Sequence, residues 1–208
     1  MNGRSRLLAA LIGMTLCGIA HGQLVPGCGD LREGIGPFDY RTIPARDKYV
    51  VESVHFTPGV ETLTRGATGG FGADIAYTLR AMPNHPRALR SMMTLAERER
   101  RDPPTHSPYT VRCWFERAVQ FAPSDASVHT LFGVYLARSG NKKEALEQLQ
   151  AAEQLAGEDA NVLYNLGLVF LDVGDYEKSL DYAKKAYALG FPLPGLRDRL
   201  KRAGKWRE

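Results

Sequence analysis

The chain has 208 residues but only three cysteines, which excludes a small domain held together by a dense disulfide framework. Long hydrophobic runs are missing as well. The apolar stretch from Leu7 to Ala20 (LLAALIGMTLCGIA) falls short of the roughly 20 residues that a membrane-spanning helix needs, and no other stretch is apolar enough to span. Catalytic and metal-binding signatures are absent. There is no His-Glu-x-x-His, no Cys-x-x-Cys and no nucleophile elbow, and no acid–base pair stands out. Gly66-Ala67-Thr68-Gly69-Gly70-Phe71-Gly72 lacks the Gly-Lys-Ser/Thr of a phosphate loop and the spacing of a dinucleotide fingerprint, so it reads as a connector leading into a helix. The histidines His55, His85, His106 and His129 have no partner at metal-ligand spacing. No enzyme activity, metal or cofactor is expected. The basic excess is small: 27 Lys and Arg stand against 23 Asp and Glu. Two of those cations, Arg4 and Arg6, sit in the first 22 residues, so nucleic acid is not an expected partner.

Those first 22 residues have the order of an export signal: Arg4 and Arg6 as a basic start, then the apolar run, then Ala20-His21-Gly22 with small residues at −3 and −1. Cleavage is expected after Gly22, giving a periplasmic or secreted protein with no stable membrane insertion; an uncleaved anchor is the alternative. Cleavage removes Cys17. The remaining Cys28 and Cys113 are expected to form one disulfide, which would close a long loop and stabilise the fold by about 4 kcal/mol through loop entropy. Lipidation of Cys28 as an outer-membrane lipoprotein ranks behind it, because Val25-Pro26-Gly27 is a poor lipobox.

The remaining pattern is repetition. With Ala126 and Ala160 each at the first place of a 34-residue unit, Gly133 and Gly167 both fall at position 8 and Gly140 and Gly174 at position 15. Ala145 and Ser179 share position 20, and Ala152 and Ala186 share position 27. Positions 8, 20 and 27 are small because two helices cross there; the glycines at 15 end a helix in a left-handed turn. Asn165 to Gly190 (NLGLVFLDVGDYEKSLDYAKKAYALG) resembles the tetratricopeptide repeat (TPR). A longer, irregular unit precedes these two, with helices expected over Pro86 to Glu99 and Tyr109 to Phe121 around the proline-rich Asp102 to Pro108. His85 is expected to cap the first of them, and His129 to be a core or edge residue. The segment from Phe38 to Leu89 resembles the leader of exported bacterial TPR proteins of unassigned function.

The expected fold is therefore all-α: a TPR α-solenoid of about three repeats with a C-terminal capping helix and an irregular N-terminal arm. The expected divisions are a signal peptide at 1–22, the arm at 23–71 and the TPR domain at 72–208. Repeats fall at 86–125, 126–159 and 160–193, with a cap at 194–206. Within the arm, Lys48-Tyr49-Val50-Val51 reads as extended and Thr57 to Gly66 as a short helix. Ala73 to Met82 reads as a lone helix, and the arm is expected to pack across the first helices.

The resemblance implies a concave face lined by the first helix of each repeat. Its candidate protein-binding residues are Arg87, Arg90, Thr94 and Arg98, then Thr130 and Val134, then Asn161, Tyr164, Asn165 and Leu168. Tyr and Leu would supply apolar contact, Arg would pair with carboxylates and Asn would bond to backbone, which suits an extended peptide. Thr94 and Leu131 stand where the dicarboxylate-clamp subgroup expects Asn, and Asn165 where it expects a cation, so that specialised role is not implied. A scaffold or assembly factor binding a protein segment in an envelope complex is the expected function. The alternative is an accessory of polysaccharide export or cell-wall assembly contacting glycan or its synthase.

Overall fold

The computed structural model describes residues 25–207; the signal-peptide reading with Cys17 lies outside them. Among the described residues every regular element is a helix and there is no strand. The helices are α1 (Ala45–His55), α2 (Pro58–Glu61), α3 (Phe71–Ala81), α4 (Pro86–Glu99) and α5 (Val111–Phe121). They continue as α6 (Ala126–Arg138), α7 (Lys142–Ala156), α8 (Ala160–Asp172), α9 (Tyr176–Ala188) and α10 (Gly195–Arg202).

Local chemistry sets the helix ends. Pro86 pre-sets the first turn of α4, and His85 caps it by accepting the Ala88 N–H on Nδ1 at 3.2 Å. Thr110, Asp125, Asp159 and Asp175 cap α5, α6, α8 and α9 with side-chain oxygens. The tight turns after α6 and α8 contain Gly140 and Gly174 at φ 82° and 87°, a conformation in which a Cβ would be costly. These turns fold α6 onto α7 and α8 onto α9 as hairpins in close contact along their lengths.

Close contact needs small residues. A Cβ on Gly133 of α6 would stand 2.8 Å from Leu149 Cδ2 of α7. Ala145, Ala152, Ala183 and Ala186 are fully buried, and Ser179 donates its hydroxyl to the Gly167 carbonyl at 2.7 Å. One apolar core, with Trp114, Phe115 and Leu136 buried, runs from α2 to α7; a second, with Phe170, Leu166 and Leu196, runs from α7 to α10. Helices α4, α6 and α8 lie side by side, and α10 closes the end by packing on α8 and α9.

The N-terminal arm differs from expectation. Lys48 to Val51 lies inside the helix α1, not in an extended piece. Packing overrides the preference of the Val pair for extended chain, because Val51 is buried against Ala81 and Met82. Thr57 and Pro58 do start α2, but it ends at Glu61 rather than Gly66. The arm is therefore partly helical.

Cys28 and Cys113 bring their sulfurs to disulfide distance with Cα atoms 5.3 Å apart, and Val25 and Leu31 pack with them near Phe121. Beneath them Arg117 of α5 is wholly buried and donates to the Cys28 carbonyl at 2.7 Å. Its guanidinium lies near the Tyr109 and Trp114 rings, 5.1 and 5.5 Å from their centroids, and burial pushes its pKa down.

Two substitutions check this packing. A Cβ on Gly72 would collide with the Thr105 carbonyl of the α4–α5 loop, where backbone must move. Gly72→Ala and Gly133→Val are each expected to lower unfolding free energy by about 1–3 kcal/mol in urea titration, whereas Gly66→Ala, whose Cβ would meet nothing nearer than 3.5 Å, costs about 1 kcal/mol or less. Reduction of the Cys28–Cys113 pair, 85 residues apart, is expected to lower the urea midpoint, corresponding to about 4 kcal/mol.

Candidate functional site

The side-by-side α4, α6 and α8 leave a trough along their exposed faces. Two adjoining cavities occupy it, about 200 Å³ toward the helix N-termini and about 310 Å³ further along; Arg90, Thr130, Leu131 and Asn165 line both. A third cavity of about 460 Å³ continues the trough past Pro86, Ser127 and Val162 to Tyr40, Arg41 and Lys48 of the arm. At the other end, Arg199 of α10 reaches Asp172 of α8 at 2.5 Å.

Eight of the ten sequence-derived candidates meet in this trough: Arg87, Arg90, Thr94, Thr130, Val134, Asn161, Asn165 and Leu168. The other two do not. Tyr164 is 8% exposed; its ring stacks on Phe191 at 4.0 Å and its hydroxyl accepts the Leu196 N–H at 3.1 Å. In the last hairpin that helix position faces the α10 segment, so Tyr164 anchors the cap. Arg98 turns toward the preceding elements, donating to the Leu63 carbonyl at 2.6 Å and lying over Phe71. Arg87, at the trough rim, is tied to Glu61 at 2.7 Å and Glu52 at 2.9 Å. Met93 and Arg199 also line the trough. Met93 has the buried-face spacing of α4, and Arg199 lies 27 residues from its partner Asp172, so neither carries a local sequence signal.

A polar latch fixes the arm at the trough entrance. Asn84 is wholly buried and makes three bonds: Nδ2 donates to Asp39 at 2.8 Å and to Asp125 at 2.9 Å, and Oδ1 accepts the Tyr40 N–H at 2.9 Å. Arg41 pairs with Asp39 at 2.6 Å, which together with the Asn84 bond holds the Asp39 carboxyl well below the usual range despite partial burial. His85 adjoins this latch. Its Nδ1 accepts the helix-cap bond, so Nε2 carries the proton and donates to Glu52 at 3.0 Å. Tyr40 and Phe56 pack against the ring. Burial pushes the His85 pKa down to about 4, outweighing Glu52.

The glycine-rich loop is not a free connector. It folds around the buried Asp74 carboxylate, which accepts the Ala67 N–H at 2.9 Å, the Thr68 N–H at 3.1 Å and the Thr68 hydroxyl. Burial opposes ionisation there, and these donors outweigh it to lower the pKa. Cys28, Cys113 and Glu116 bring donor atoms within 4.8 Å of one another, but sulfurs joined to each other lack the thiolate a metal requires.

No family model and no curated protein matches the chain.

His85 gives a pH test. Its folded value of about 4 lies below the ordinary 6.5, so the unfolded chain binds the extra proton between those values. Stability is expected to be full above about pH 6.5 and to fall by about 3 kcal/mol as pH drops toward 4. In urea titrations across that window, His85→Asn, which keeps a capping side chain, is expected to flatten the slope.

Proposed function

We propose that the chain is an exported TPR protein, its repeats formed by α4–α5, α6–α7 and α8–α9 with α10 as cap. In this reading it binds an extended polypeptide segment in the trough as a scaffold or assembly factor for an envelope complex. The observation that carries the reading is the convergence of eight positions from three separate helices on one continuous cleft, with apolar floor and polar rim. The hairpins with small residues at their crossings support the repeat assignment. No helix among the described residues is long and apolar enough to cross a membrane, and the Cys28–Cys113 pair is compatible with an oxidising compartment.

The trough works by fit and charge rather than by bond making. Met93, Leu131 and Val134 form apolar floor, and Arg90 supplies positive charge at its centre. Polypeptide fits this better than glycan, because Tyr164, the aromatic expected in the trough, is buried against the cap.

The test is affinity capture from envelope extract with three forms: wild type, an Arg90→Glu, Val134→Glu double variant, and a Lys143→Glu variant on the exposed side of α7. The double variant is expected to lose at least tenfold of each specifically captured partner while Lys143→Glu keeps it. Equal capture by all three contradicts the reading.

A further inference from the structure

The cations around the trough are not equivalent. Arg41 is held by Asp39, Arg138 by Glu97 at 3.1 Å and Arg199 by Asp172, and Arg87 is held by two glutamates. Lys48 lies over the Tyr40 ring, 3.9 Å from its centroid. Arg90 is different: it is exposed, lines both central cavities, and its side chain has no carboxylate, hydroxyl or ring partner among the described residues. One uncompensated positive charge therefore faces the middle of the cleft, with acids already neutralised around it.

The neutral polar groups beside Arg90 can pair with backbone. The exposed Thr94 hydroxyl donates its single proton to the Arg90 carbonyl at 3.0 Å, and the buried Thr130 in the floor donates its own to the Ala126 carbonyl at 2.8 Å. The Thr94 oxygen is left only as an acceptor. Asn165 Nδ2 donates one N–H to the Asn161 carbonyl at 2.8 Å, leaving its second N–H to donate and its Oδ1 to accept. Donors and acceptors side by side suit the N–H and C=O groups of an extended backbone, and the apolar floor suits its side chains. Leu131 and Leu168 offer apolar contact beside Arg90. The cleft runs on past Arg90 in both directions, toward Asn161 and toward Val134, so a bound strand passes Arg90 rather than ending there.

Resting on the polypeptide-binding reading, we propose that the trough selects an extended segment bearing a side-chain carboxylate next to an apolar residue. Arg90 receives the carboxylate, the Thr94 oxygen receives a backbone N–H, and the Asn165 amide pairs with backbone beside it. The selectivity lies in charge sign and in the internal position of the acid.

Selection of random ten-residue peptides on the purified protein tests this, one library with amidated C-termini and one with free carboxylates. Wild type is expected to enrich Asp or Glu flanked by apolar residues several-fold from the amidated library. Arg90→Glu is expected to enrich Lys or Arg instead, and Arg90→Gln to bind the best acidic peptide about tenfold more weakly, with reduced salt dependence. Peptides that bind through the trough, judged by loss in Val134→Glu, yet show no acid preference or ignore Arg90→Gln, overturn the charge assignment alone. Enrichment only from the free-carboxylate library overturns the internal position. Failure to select any peptide whose binding Val134→Glu abolishes overturns the polypeptide reading beneath it.

Discussion

The approach of paired helices at residues too small to hold them apart is the constraint on which the rest depends. Gly133 against Leu149, and Ser179 against the Gly167 carbonyl, allow α6–α7 and α8–α9 to close into hairpins with apolar cores. Once the hairpins close, α4, α6 and α8 align on one side, and their outward residues have a shared cleft between them. Loss of close approach would tilt each helix pair and move the two walls of the trough relative to each other.

The arm is fastened to this body by two kinds of contact. Around Cys28 it is covalent and apolar, with the buried Arg117 bonded to the Cys28 carbonyl. Around Asn84 it is polar, a buried amide satisfied by Asp39, Asp125 and the Tyr40 N–H. A buried polar network of this kind specifies one docking geometry, because any shift leaves an unpaired group away from water. The same docking places Arg41 and Lys48 at the trough entrance, so the arm contributes both stability and part of the cleft wall.

Much of the helical body was legible in the chain because its signals are local. Pro86 and His85 mark the start of α4, the glycines at 140 and 174 mark tight turns, and small residues recur at helix crossings. The features that escaped depend on distant partners. The segment around Val50 and Val51 favours extended chain by itself and becomes helical through burial against Ala81 and Met82. Tyr164 reads by its sequence offset as a cleft residue, but α10 covers it. Arg98 is drawn off by Leu63 and Phe71, which precede it by more than 25 residues. The glycine-rich loop looked permissive by composition, and only the fold shows Asp74 filling it.

Close-packed helices create a cleft, and we propose that a partner is held there. Site-specific photocrosslinking in intact cells tests this most directly. A photoreactive residue would replace Val134 or Leu168 in the trough, or the exposed Leu146 of α7, or Tyr49 and Val50 of α1. The account predicts discrete protein adducts from the two trough positions and none of the same species from α7 or α1. Adducts confined to α7 or α1, with the trough positions silent, would contradict it.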